Sequence, residues 1–319
     1  MRYKKNARYL ILLVTAAWIA LAAACTGRGP ESTGAGPVAK AEPVVRSGML
    51  VGSAWLADHL GSSRLVVLQV STARESYDQG HIPGAQYIGW SEVTVDTNGV
   101  ANELPSLESL TALVRRLGID SADRIIIYDD GEGVMAARAY FTLDYLGLGD
   151  SAALLDGQLA GWKAEGRPLS TEVPEVVESA YIPRINPGVI AGMDKVREIT
   201  GGGEASALVD CRAADQFSGE TPGSGIQRGG HIPGAINATA DGTVESRDLP
   251  RFKPADQLRA LYADAGLAPG GKAVTYCRTG RSASLGYFTL KYLGYDVALY
   301  DGSFSQWQSY PDNPVATGK

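Results

Sequence analysis

The chain contains one unit twice, and this restricts its fold more than any other feature. His81-Ile82-Pro83-Gly84-Ala85 returns as His231-Ile232-Pro233-Gly234-Ala235. The stretch YFTLDYLG at 140–147 returns as YFTLKYLG at 287–294, with one change. Leu155-Asp156-Gly157 followed by Trp162 returns as Tyr300-Asp301-Gly302 followed by Trp307. The landmarks keep their order, so any fold assigned to one copy must serve for both. Each copy is domain-sized. The elements read from apolar pattern and turn residues also repeat. Strands fall at 65–70 and 207–210, then 124–128 and 272–276, then 152–155 and 297–300. Helices at 107–117 and 254–265, and one over 282–292, lie between them. Strands alternating with helices predict an α/β fold: two tandem domains, each a mainly parallel sheet with helices on both faces. The domains are expected at 47–170 and 188–319, joined by a linker at 171–187.

The N-terminus is read separately. Arg2, Lys4, Lys5 and Arg8 precede an apolar run at 10–24 that is short for a membrane span and ends in small residues. Residues 1–24 read as a secretory signal peptide. Leu21-Ala22-Ala23-Ala24-Cys25 resembles a bacterial lipobox, with Ala22 where a large aliphatic residue is usual. On that reading Cys25 is lipidated and becomes the new N-terminus. The alternative is plain Ala-x-Ala cleavage, which leaves a soluble exported protein. Residues 25–46 are rich in Gly and Pro and read as a flexible tether. A tether has a use behind a lipid anchor and none behind a cleavage site, so the anchored reading is preferred. The expected location is the cell envelope, with membrane contact only through the lipid.

A formal net charge of −6 excludes a nucleic-acid binder, which needs a basic face. Three cysteines do not make a disulfide framework, and three histidines with no cysteine beside them suggest no metal site. Against this acidic background, Tyr276-Cys277-Arg278-Thr279-Gly280-Arg281-Ser282 is a local positive site. Cys277 lies between a strand end and a helix start, with Ser282 read as the N-cap. Turn N–H groups, the helix dipole and two arginines all favour negative charge there. The thiolate is the reactive form of cysteine, and Cys277 is placed to be one. The same groups, residues 278–282, would hold an anionic substrate against the sulfur.

The repeat supplies an internal control. Pairing Tyr128 with Tyr276 puts Asp129 where Cys277 stands. The first copy reads Asp129-Asp130-Gly131-Glu132-Gly133, which is acidic and one residue longer before its helix. It cannot perform thiolate chemistry, and packing is its expected role. His81 and His231 sit in both HIPGA turns, one of them in the copy without a cysteine, so they are read as ties of the turn rather than bases. Cys211 ends a strand and is read as a core residue, a redox pairing with Cys277 being the other option.

These residues are similar to those of tandem-domain rhodaneses, the thiosulfate sulfurtransferase family. The matching parts are the GHIPGA turns at 80–85 and 230–235, Asp210-x-Arg212, the loop 277–282, and VALYDGSF at 297–304 with Trp307. The resemblance covers residues 50–310. Gln306 departs from it where Glu is usual. A segment between Phe217 and His231, ten residues longer than its first-copy counterpart, also resembles second domains. The resemblance implies an inactive first domain and a catalytic second one, with no cofactor. It implies that Cys277 takes the sulfane sulfur of thiosulfate as a persulfide, releases sulfite, and passes the sulfur to cyanide or a thiol. Two alternatives stay open. A 3-mercaptopyruvate sulfurtransferase would resemble Cys-Gly-x-Gly, without the arginines. A tethered persulfide carrier would take sulfur from a partner without free thiosulfate turnover. A phosphatase of the related Cys-x5-Arg type fits poorly, because the sixth residue after Cys277 is Ala283.

Overall fold

The computed structural model describes residues 43–318, which belong to one compact unit. Cys25 and the rest of the N-terminal segment lie outside the described residues. Among the described residues, no helix is long and apolar enough to cross a membrane.

The first half runs β1 (Leu50–Val51), α1 (Ser53–His59), β2 (Leu65–Ser71), α2 (Glu75–Gln79), β3 (Ala85–Gly89), α3 (Trp90–Val93), β4 (Val95–Thr97), β5 (Val100–Glu103), α4 (Leu107–Arg116), β6 (Arg124–Asp129), α5 (Val134–Tyr145), β7 (Ala152–Leu155) and α6 (Gln158–Ala164). The second half runs α7 (Met193–Thr200), β8 (Ser206–Asp210), α8 (Ala214–Ser218), β9 (Ile236–Asn237), α9 (Ala255–Asp264), β10 (Lys272–Tyr276), α10 (Arg281–Tyr292), β11 (Asp296–Leu299) and α11 (Ser303–Ser309). The sheets are parallel, in the orders β1-β7-β6-β2-β3 and β11-β10-β8-β9. The near-continuous apolar runs LVVLQV of β2 and RIIIY of β6 belong to strands covered on both faces.

Helices α5 and α10 carry the repeated YFTL sequence and are buried along almost their whole length. Helices buried on nearly every side must be enclosed, and each of these lies between its own sheet and the other helix. They lie in a core shared by both halves. Phe141 meets Tyr287 edge-on at 5.2 Å, and Tyr140 meets Phe288 edge-on at 4.9 Å, a reciprocal pairing. The one change in the repeat also falls here. Asp144 and Lys291 occupy corresponding positions and form an ion pair, with Tyr287 Oη donating to Asp144 at 2.5 Å. Two aspartates facing each other across this core would repel. The change makes the facing pair attractive.

Each HIPGA turn is tied to the strand that leads into a loop. Tyr128 Oη receives the Ile82 N–H at 3.0 Å, and Tyr276 Oη receives that of Ile232 at 3.2 Å. His81 stacks on Tyr77 at 3.8 Å and His231 on Phe217 at 3.7 Å. Each ring places Nδ1 2.9 Å from a backbone carbonyl, that of Tyr77 or Phe217. The histidines therefore tie down the turn.

Two arms cross between the halves. The β4–β5 hairpin of the first half ends at Leu104, whose N–H bonds Asp301 of the second half at 2.7 Å. The matching segment of the second half ends at Phe252, whose N–H bonds Asp156 of the first at 2.8 Å.

Candidate active site

Cys277 is the first residue after β10 and is 1% exposed, at the floor of a cavity of about 650 Å³ between the halves. Arg278, Thr279, Arg281 and Ser282 line the same cavity, as do Asp129 and Glu132 of the first half. The expected loop residues thus come together around the sulfur. One expectation is corrected. Ser282 is not the N-cap. The helix starts at Arg281, and Gly280 occupies the cap with φ +76°. Glycine is needed there twice over. The φ is left-handed, and a Cβ would stand 2.8 Å from an Asp301 carboxylate oxygen and 2.9 Å from the Asp301 carbonyl.

The first half shows what this local geometry binds. Asp129 is fully buried, and its carboxylate accepts the N–H groups of Gly131, Gly133, Met135 and Ala136 at 2.9–3.0 Å. Gly133 caps α5 with φ +85°, as Gly280 caps α10. Burial pushes the Asp129 carboxyl up, and three of these N–H groups offset part of the rise. A carboxyl group that accepts four N–H groups therefore fills the cradle made by the loop and the helix N-terminus. Counted from the cap glycines, the N–H groups of Met135 and Ala136 correspond to those of Ser282 and Ala283. In α10 these belong to the first turn, where no carbonyl of the helix reaches them. The second half keeps the helix-turn donors of this cradle beside its sulfur, while the cap N–H that Gly133 gives to Asp129 goes, in Gly280, to Ser303.

A residue of the VALYDGSF motif with no role read from the sequence shapes the loop. Ser303, fully buried with φ +53°, accepts the N–H groups of Cys277 at 3.2 Å and Gly280 at 2.9 Å, and donates to the Tyr300 carbonyl at 2.9 Å. Its first-half counterpart is Gln158, at φ +52°, whose Oε1 accepts the Asp129 N–H at 2.9 Å. Both follow an Asp-Gly pair of the repeat, which was the available signal. The fully buried Arg138 of α5 grips Asp301, with Nη1 on Oδ1 at 2.5 Å and Nη2 on Oδ2 at 3.1 Å. That carboxylate borders Gly280. No pattern around Arg138 in the sequence announces this role.

The two loop arginines part ways. Arg278 bends toward its own half and donates to the Ser224 carbonyl at 3.3 Å. Arg281 is exposed and lies 5.6 Å over the Trp90 ring of the first half. Neither forms an ion pair among the described residues, so both guanidiniums remain available to an anion. Ser224 belongs to the long segment before His231, which Arg228 fastens through bonds to the carbonyls of Gln308, Tyr310 and Asn313. Cys211 follows β8, one position beyond the Asp210–Tyr276 pair, so it neighbours Cys277. It is buried, and desolvation pushes its thiol well above the ordinary range. It lines the same cavity as Cys277, but this shift disfavours the thiolate that a nucleophile needs. Among the described residues, no cluster of three His, Cys, Asp or Glu is placed to hold a metal.

Fold and site define a duplicated parallel α/β protein with a cysteine at one strand-to-helix loop and a buried carboxylate at the other. The model of the rhodanese-like domain matches residues 53–165 and 193–310, and the chain belongs to the rhodanese family of sulfurtransferases. It is 36% identical to the sulfur carrier protein TtuD of Thermus thermophilus, over 85% of this chain and 97% of that one. It is 34% identical to the thiosulfate sulfurtransferase of Corynebacterium glutamicum, over 85% and 91%. Among solved structures, SseA from Escherichia coli, described as a 3-mercaptopyruvate sulfurtransferase, superposes with a TM-score of 0.72 at 27% identity, over 80% of this chain and 98% of that one.

Proposed function

We propose that this sulfurtransferase uses thiosulfate as its donor and Cys277 as its nucleophile. The Cys277 thiolate attacks the sulfane sulfur, the S–S bond of thiosulfate breaks, and sulfite leaves with the bonding pair. The product is a persulfide, Cys277–S–S⁻. An acceptor then attacks the outer sulfur; cyanide gives thiocyanate and returns the Cys277 thiolate. Charge balances in both steps, and the catalysis is covalent. The observation that carries this reading is the Asp129 cradle, where the N–H groups of Met135 and Ala136 bond a carboxylate group and their counterparts at Ser282 and Ala283 are offered to the persulfide. Arg278 and Arg281 leave their rests on Ser224 and Trp90 to bind the sulfonate by charge-assisted hydrogen bonds. The relative named as a thiosulfate sulfurtransferase supports the same donor. A mercaptopyruvate enzyme fits less well, because residues 278 and 281 are arginines.

The relative named as a sulfur carrier favours a second reading, in which the persulfide is made once and handed to a protein partner. Steady-state turnover of thiosulfate with cyanide decides between them. Continuous thiocyanate release supports the enzyme. One equivalent of sulfite with no turnover supports the carrier. Cys277→Ser should abolish both, and mass spectrometry should place one added sulfur on the Cys277 peptide of the wild type. Sulfur found on Cys211 would overturn the assignment. We also propose export and lipidation at Cys25. Cys25→Ala should release the protein from membranes or stall its processing, and an unmodified N-terminus on a soluble wild-type protein would refute it.

A further inference from the structure

The arm of the first half reaches the loop that carries Cys277 through Asn102. Asn102, in β5, donates from Nδ2 to Thr279 Oγ1 at 2.9 Å. Its other amide atom, Oδ1, receives the Trp90 Nε1–H at 3.1 Å. The indole can only donate, so the atom facing it must be the amide oxygen, and the atom facing Thr279 must be the nitrogen. Asn102 is held in this pose. Its φ is +64°, a conformation Asn accepts more readily than other side-chain-bearing residues, and its own N–H bonds Asp96 Oδ1 at 3.2 Å. The reciprocal arm reaches the first-half loop differently, through an ion pair of Arg247 with Glu132 at 3.6 Å. In the reciprocal arm, which ends at Phe252 as this one ends at Leu104, the matching position is Pro250, which has no side-chain donor.

We propose that Asn102 and Trp90 are positioning residues that set the polarity of the Thr279 hydroxyl. Asn102 occupies its oxygen as a donor, so the Thr279 proton is free to point elsewhere. Thr279 lines the cavity that holds Cys277. The chain therefore runs Trp90 N–H to Asn102, Asn102 N–H to Thr279, and Thr279 O–H to the anion before the sulfur. The first half thus supplies the direction of a hydrogen bond to the substrate. The inference rests on the anion-binding reading above.

Asn102→Asp separates polarity from mere attachment. A carboxylate still accepts from Trp90 and still bonds Thr279, but it can only accept. The Thr279 proton would then turn away from the cavity. The readout is the ratio of Cys277 alkylation rates with iodoacetate, an anion, and iodoacetamide, its neutral analogue, followed on the Cys277 peptide. The neutral reagent reports an intact site in each variant. Asn102→Asp and Thr279→Val should each lower the ratio by about tenfold or more, the scale of one hydrogen bond to a charged group. Thr279→Ser should keep it. The double variant should be no worse than Thr279→Val alone. An unchanged ratio in Asn102→Asp overturns the inference. So does an equal further loss in the Thr279→Val background, which would show only the field of an added charge. The test needs no turnover. A fall in the ratio in a protein that does not consume thiosulfate would refute the donor and leave the hydroxyl's role standing. Thiosulfate turnover with an indifferent ratio would do the reverse.

Discussion

Ser303 should be the most expensive small side chain near the loop to remove. Its hydroxyl accepts two backbone N–H groups, those of Cys277 and Gly280, in a fully buried setting. A buried donor left without a partner costs about 1–3 kcal/mol, so Ser303→Ala should lose about 2–6 kcal/mol in total. Ser303→Gly orphans the same two groups. It also relieves the left-handed backbone at φ +53°, which costs a residue with a Cβ about 1–2 kcal/mol. Extra chain entropy in the unfolded state cancels about half of that relief. Glycine should therefore be the milder substitution, by about 1 kcal/mol. Urea unfolding at neutral pH gives both numbers. Activity should fall as well, because the released N–H groups, that of Cys277 among them, let the loop move. An alanine variant within about 1 kcal/mol of wild type, or a glycine variant less stable than alanine, would refute the claim that these two bonds hold the loop.

Replacing both Arg278 and Arg281 by alanine should raise KM for thiosulfate by about tenfold or more per arginine, and much less for a neutral sulfur donor; equal effects on both would mean that they only shape the loop. Lys291→Met should cost about 3–5 kcal/mol by leaving buried Asp144 unpaired, and the swap Asp144→Lys with Lys291→Asp should melt above either single reversal. A swap no better than the singles would show that the pair is incidental. Burial raises the Cys211 thiol, so the folded state holds its proton longer than the unfolded chain. Stability from this source is complete below about pH 8.5, the unfolded value, and falls as pH rises past it. Cys211→Ala should flatten that decline in urea midpoints measured up to about pH 9.5, and native Cys211 should resist alkylation while Cys277 reacts.

The fold was legible because duplication prints its landmarks twice, and a landmark that survives in both halves has to serve the shared architecture. That reasoning placed His81 and His231 in the turn rather than in the chemistry, where their Nδ1 contacts and ring stacks now stand. It also placed Cys277 at the end of a strand and against a helix N-terminus. The cap itself was misread because Ser282 is a good capping residue by type. The loop instead needs a left-handed residue one step before the helix, pressed against Asp301, and only Gly280 fits. Contacts between the copies were beyond reach for a different reason. Arg138 with Asp301, Asn102 with Thr279 and Asp144 with Lys291 join residues far apart in the chain, and no local period or spacing encodes which partner each meets. Yet each sits where the two copies differ or where the pseudo-symmetry brings them face to face. The first half has no cysteine in its loop and fills its own cradle with Asp129. It has the arm that lies over the other loop, and that arm carries the side chain that reaches Thr279. A duplicated fold can therefore divide its labour: one copy keeps the reactive group, and the other is free to change wherever it touches the first.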